Sequence, residues 1–139
     1  MIGGKGLEKT GNMAFLGCIS LHEITNLPAI RAIKNHTFNR CLKLKTVILG
    51  EGLEEIGTGA FLECTSLREM VIPPAVKVIK NTAFALCSQL TTVILGEGLV
   101  KIKERALAGT PLRRIVLPPA VEEIDDRAFE DCSELTNVR

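Results

Sequence analysis

Apolar positions recur along this chain with a period of 23 residues. Phe15, Phe38, Phe61 and Phe84 stand 23 apart, Leu107 continues the series, and Phe129 follows 22 later. Three residues beyond each lies Cys18, Cys41, Cys64, Cys87, then Thr110, then Cys132. The next leucines are Leu21, Leu44, Leu67, Leu90, Leu112 and Leu135, followed three further on by Ile24, Val47, Met70, Val93, Ile115 and Val138. Each unit closes on a pair such as Leu53 and Ile56, or Val76 and Ile79. The segment Lys45 to Leu49 alternates polar and β-branched residues, which predicts a short strand. The run Asn81-Thr82-Ala83-Phe84-Ala85-Leu86-Cys87 predicts about one helical turn on the return side.

A unit this short cannot bury its apolar side alone, so neighbours must stack. The chain is therefore expected to be one α/β domain, 1–139. It forms a solenoid of about six rungs of 23 residues, with short parallel strands and one short helical turn per repeat. Equivalent strands should lie about 4.8 Å apart.

A second period lies inside the first. Gly-x-Gly-Leu starts at Gly4, Gly50 and Gly96, whereas Pro28-Ala29, Pro73-Pro74-Ala75 and Pro118-Pro119-Ala120 occupy the turns between. Two kinds of turn alternate, with a super-period near 46, as tandem duplication of a two-repeat unit would leave. The prolines and glycines end the strands. Alternate rungs should differ in local mobility.

The unit reads A-F-x-x-C-x-x-L-x-x-V-x-(I/L)-(P/G)-x-x-(V/L)-x-x-I-x-x-x. It resembles the BspA-like class of leucine-rich repeats, and the copy from Ala60 to Pro73 matches almost throughout. The resemblance spans nearly the whole chain. It implies a right-handed leucine-rich-repeat solenoid and a role in binding proteins, often at cell surfaces, with no particular ligand. Two departures, Asn26 in the first copy and Leu107 with Thr110-Pro111 in the shortened fifth, predict local irregularity.

Composition narrows the function. Aromatics are 4%, without Trp or Tyr, which removes the usual stacking partners of sugars and nucleobases. A net charge of +1 gives no global field towards nucleic acid. No apolar run is long enough to insert in a membrane. The missing secretory signal favours the cytoplasm, while the resemblance points to a surface location.

Little in the chain suggests chemistry. The cysteines occur once per rung at a core position, where a small buried hydrophobe is wanted. A catalytic thiol needs a unique position with a base beside it. No C-x-x-C pair offers a zinc site, and nothing points to a cofactor. His22 and His36 read as surface residues, and Asn35-x-Thr37 matches a glycosylation sequon in form. Gly3-Gly4-Lys5-Gly6 lacks phosphate-loop spacing and aligns with the Gly50 turn.

The expected functional surface is the sheet. Side chains alternate along a strand, so Thr25, Ile48, Val71, Ile94 and Val116 point outward and form an apolar stripe. Glu23, Thr46, Glu69, Thr92 and Arg114 share that face two positions earlier, and Arg68 and Arg113 flank it. Apolar patches with polar rims mark protein contacts. The binding residues are therefore expected to be Thr25, Ile48, Val71, Ile94, Val116, Glu23, Arg68, Glu69, Arg113 and Arg114.

The chain reads as a non-enzymatic protein-interaction module with a protein partner. The alternative is a structural spacer, self-associating through its end rungs or sheet face. Basic residues between Arg31 and Lys45, and acids between Glu122 and Glu134, would steer head-to-tail contact. No polar cap is evident at either end, so the chain is expected to be a segment of a longer array.

Overall fold

The computed structural model describes residues 9–25 and 29–139. Asn26, Pro28 and the Gly3–Gly6 turn lie outside the described residues. Eleven short strands run in chain order along the described residues. Odd-numbered strands build one side: β1 (Glu23–Ile24), β3 (Thr46–Val47), β5 (Glu69–Val71), β7 (Thr92–Ile94), β9 (Arg114–Ile115) and β11 (Asn137–Val138). Even-numbered strands build another: β2 (Ala32–Ile33), β4 (Glu55–Ile56), β6 (Val78–Ile79), β8 (Lys101–Ile102) and β10 (Glu123–Ile124). All pairings are parallel, and each joins residues one rung apart, such as Met70 to Val93 or Ile33 to Ile56.

The even-numbered strands form one continuous five-stranded sheet. The repeat pattern alone does not predict these strands. Their signal was the closing apolar pair of each unit, whose second member, Ile33, Ile56, Ile79 or Ile102, is fully buried. The odd-numbered strands were expected to form one sheet and instead pair in twos: β1 with β3, β5 with β7, and β9 with β11. The break follows the 46-residue alternation of turns. Where a glycine rung follows a proline rung, backbones press together: a Cβ on Gly96 would meet the Ile72 and Pro73 carbonyls at 2.6 Å, and one on Gly98 the Pro74 carbonyl at 2.1 Å. Here β5 and β7 share a three-residue ladder. Where a proline rung follows a glycine rung, as between β7 and β9, no ladder forms.

The helical turn expected at Asn81–Cys87 is absent, and no helix occurs among the described residues. The reason is a pair of left-handed residues in every rung, two before and two after the phenylalanine seat. Thr82 (φ 54°) and Leu86 (φ 59°) flank Phe84, and His36 (φ 54°) and Arg40 (φ 62°) flank Phe38. An α-helix cannot pass through alternating left-handed residues. The amides of alternate residues instead bond along the stack. His36, Phe38 and Arg40 donate to the carbonyls of Thr58, Ala60 and Leu62, each at 2.8 Å. The residues between close tight local turns, as Asn39 does onto the His36 carbonyl at 3.3 Å.

The core runs unbroken through the stack. Phe15, Phe38, Phe61 and Phe84 form a column of near-parallel rings with centroids 5.4, 5.4 and 5.3 Å apart. Leu107 takes the next seat and is fully buried. Beside the column runs a file of thiols. Cys41, Cys64, Cys87 and Cys132 each donate to the carbonyl of the phenylalanine-seat residue of the preceding rung, at 3.1 to 3.3 Å. Thr110 replaces the thiol in the fifth rung and bonds its own Leu107 carbonyl at 2.8 Å. A hydroxyl thus fills the seat without orphaning a polar group.

Candidate functional site

The odd-numbered side carries the surface that the pattern singled out. Ile24, Met70 and Ile115 face the core, so the residues flanking them on the same strands face out. Ile48, Val71, Ile94 and Val116 are 59, 53, 56 and 63% exposed, so four adjacent rungs present aliphatic side chains to solvent. Thr25 is half-buried, which shortens the stripe at its first rung. Glu23, Arg68, Glu69, Arg113 and Arg114 are exposed.

Two troughs lie on this face and meet at Thr91 and Thr92. The larger lies between β7 and β9, holds about 560 Å³, and is lined by Thr91 to Leu95, Glu97 and Arg114 to Pro119. It unites three of the expected residues, Ile94, Val116 and Arg114, with three that pattern reasoning missed: Glu97, Pro118 and Pro119. Those three sit on turns, which had been read only as strand terminators. A more polar trough of about 410 Å³ joins Arg68 and Glu69 to Lys45, Thr46, Thr91 and Thr92. Glu23 on β1, Thr25 just after it, Ile48, Val71 and Arg113 fall outside both of these troughs.

Charge is handled differently on the two sides. On the even-numbered sheet, cations and anions pair across rungs. Glu55 lies 3.1 Å from Lys34 and 3.6 Å from Lys80. Lys101 and Lys103 each lie 3.1 Å from Glu123. Burial opposes the charge on Glu55, but the two lysines outweigh it and hold its carboxyl below the ordinary value. Hydrogen bonding from Asp125, then Lys103 and Lys101, brings Glu123 down to about 2. On the odd-numbered side, Glu23, Glu69, Glu97, Arg113 and Arg114 belong to none of the ion pairs among the described residues. Arg68 meets only the Gln89 side-chain oxygen, at 3.4 Å.

The groups suited to covalent chemistry are engaged elsewhere. Burial pushes the Cys41 thiol up to about 11 and Cys87 to about 12, and raises Cys64 further. A nucleophilic cysteine needs the opposite shift. His22 is exposed; His36 is half-buried, packed beneath the place where a Gly59 Cβ would project, 2.4 Å from its ring. The Asn35 side-chain oxygen accepts the Thr58 amide at 2.9 Å, so the sequon asparagine already links two rungs. Among the described residues, no three His, Cys, Asp or Glu side chains gather as a metal site requires. No helix among them is long and apolar enough to cross a membrane.

A parallel stack with a common core and one decorated, uncommitted sheet face defines a repeat scaffold of the leucine-rich-repeat kind. The chain belongs to the BspA-type leucine-rich repeat family, whose model matches residues 7–136 in six copies. Proteins built from leucine-rich repeats generally mediate protein–protein interactions. A leucine-rich cell surface protein from Faecalibacterium prausnitzii is 31% identical with a TM-score of 0.88, covering 95% of this chain and 36% of that one. A leucine-rich repeat protein of T. pallidum is 34% identical with a TM-score of 0.68, covering 97% and 54%. One from Eubacterium ventriosum, at 24% identity and a TM-score of 0.73, shares the fold over 84% of this chain and 32% of its own. The chain thus spans from about a third to about half the length of these proteins. No curated protein sequence matches it significantly.

Proposed function

We propose that this chain is a non-enzymatic protein-binding module that works through its odd-numbered sheet face. The observation that carries the reading is the conjunction of an exposed aliphatic stripe, Ile48, Val71, Ile94 and Val116, with charged neighbours that have no ion-pair partner among the described residues. Exposed apolar side chains cost hydration free energy that a partner would recover. Charges left unpaired beside them can discriminate among partners. On the even-numbered sheet charges pair with one another, and among the described residues of its strands Ile124 is the one large exposed aliphatic side chain. A location at the cell surface accords with the described role of the F. prausnitzii protein. The spacer alternative draws support only from the exposure of Ile124 on β10 and Val138 on β11.

The test is an affinity capture from an extract of the source organism with the wild type and with Ile48→Ser/Val71→Ser/Ile94→Ser. These side chains face solvent, so the variant should fold normally by circular dichroism. The variant should lose a specific binder. An identical set of captured proteins would sink the reading, as would a wild type that recovers only copies of itself.

A further inference from the structure

The trough between β7 and β9 is polarised along its length. Arg114, with Thr91 and Thr92, lies at the end where the strands begin. Ile94 and Val116 occupy the middle. Glu97, Pro118 and Pro119 lie at the end where the strands run into their turns. Arg114 and Glu97 are both exposed, and neither has an ion-pair partner among the described residues. Val93 and Ile115 also line the trough, although they are 7 and 2% exposed with side chains turned inward; what they lend is backbone. Since no ladder joins β7 to β9, the facing backbone edges of the two strands are not consumed by each other.

We propose that this trough binds an extended segment of a partner protein bearing a carboxylate, an aliphatic side chain and a cation at alternate positions. The inference rests on the reading of this face as the binding surface and names its partner's chemistry. The volume, about 560 Å³, is that of a ligand pocket rather than a flat contact. From Arg114 to Pro118 is four residues of extended chain, or about 13 Å at about 3.3 Å per residue. A segment of about five residues spans it. The carboxylate pairs with the Arg114 guanidinium, the aliphatic group seats between Ile94 and Val116, and the cation meets Glu97. The segment lies across the trough and is held by these side chains, because the Cα atoms of β7 and β9 already approach within 8 Å and leave no room for a strand between them. Opposite charges at the two ends fix the orientation and reject segments of uniform sign.

The probe is a fluorescein-labelled peptide, Gly-Asp-Ser-Leu-Ser-Lys-Gly, titrated with the full chain and followed by anisotropy. It should bind, and more tightly at about 0.05 M than at about 0.5 M salt. Arg114→Gln should weaken it about tenfold, the worth of one charge-assisted hydrogen bond. Glu97→Lys should reverse the preference towards a version with Asp in place of its Lys. Glu54→Gln, on the even-numbered side and outside the trough, should leave peptide affinity unchanged. Equal affinity for a version with Ser at both charged positions would overturn the proposal, as would an unaltered Arg114→Gln. If the peptide fails while the wild type still captures a binder that the stripe variant loses, the trough assignment is wrong and the protein-binding role survives. If both captures match, that role itself falls. A trough filled by a second copy would show as concentration-dependent dimerisation by light scattering, with loss of peptide binding, and would also refute the assignment.

Discussion

Phe61 sits at the middle of the ring column, and replacing it tests whether the column acts as a coupled unit. Its ring lies 5.4 Å from Phe38 and 5.3 Å from Phe84, with interplanar angles of 18° and 4°, and the residue is fully buried. Leucine is a fair substitute for the seat, because Leu107 fills the equivalent position at 0% exposure. Phe61→Leu therefore keeps most of the buried volume and removes two ring pairs. Each pair is worth about 0.5–1.5 kcal/mol beyond area burial, which gives a loss of about 1–3 kcal/mol. Phe61→Ala adds a cavity and should cost about 3–5 kcal/mol. Against a typical stability of about 5–15 kcal/mol, the leucine variant stays folded and the alanine variant approaches the limit.

Urea denaturation followed by far-ultraviolet circular dichroism is the assay, since the chain has no Trp or Tyr to report by fluorescence. In double-mutant cycles, Phe61→Leu should couple to Phe84→Leu by about 0.5–1.5 kcal/mol and to Phe15→Leu by almost nothing, because Phe15 is two rungs away. A Phe61→Leu cost below about 0.5 kcal/mol would show that the rings merely fill space. Equal coupling to Phe15 and Phe84 would show that rung contacts are not confined to nearest neighbours, contrary to the behaviour of stacked repeats.

Two further outcomes follow from the backbone and the thiols. Thr82, a β-branched residue at φ 54°, carries left-handed strain of about 1–2 kcal/mol. Thr82→Gly relieves it at a flexibility cost of about 0.5–1 kcal/mol, so a net gain of about 0.5–1 kcal/mol is expected; a lower urea midpoint would refute it. The buried thiols have folded-state values raised to about 11 for Cys41 and about 12 for Cys87. Their contribution is complete below the unfolded value of about 8.5 and is lost as pH rises towards those folded values. Stability should therefore fall above about pH 8.5, by about 1.4 kcal/mol per pH unit for each such thiol. Cys87→Ser should flatten the slope, and a urea midpoint that does not move between about pH 8 and about pH 9.5 would contradict it.

The sequence made legible what a 23-residue period dictates: the ring column, the thiol file, the outward Ile48, Val71, Ile94 and Val116, and the repeat family. It hid whatever depends on backbone sign. Leu86, Thr82 and Arg40 carry no mark of a left-handed conformation, so the return segment read as a helical turn. Glycine does mark the same seats at Gly17, Gly59 and Gly109, where φ is 67°, 61° and 69°. Read together, those three glycines were the available signal. The trough between β7 and β9 was half legible. The alternation of Pro73-Pro74 with Gly96-Glu97-Gly98 was plain, but its effect on strand pairing depends on how closely two backbones approach. That distance does not show in residue types.

The fit of a glycine turn onto the proline turn before it bears on how such arrays lengthen. Recombination that slips by one repeat would set like against like. Two glycine turns in succession would forfeit the close junction seen at Gly96 and Gly98, and two proline turns would meet with no room for that approach. Slippage by two repeats restores the alternation at every junction. Copy number in arrays of this type should therefore change in even steps, with 46 residues as the heritable unit.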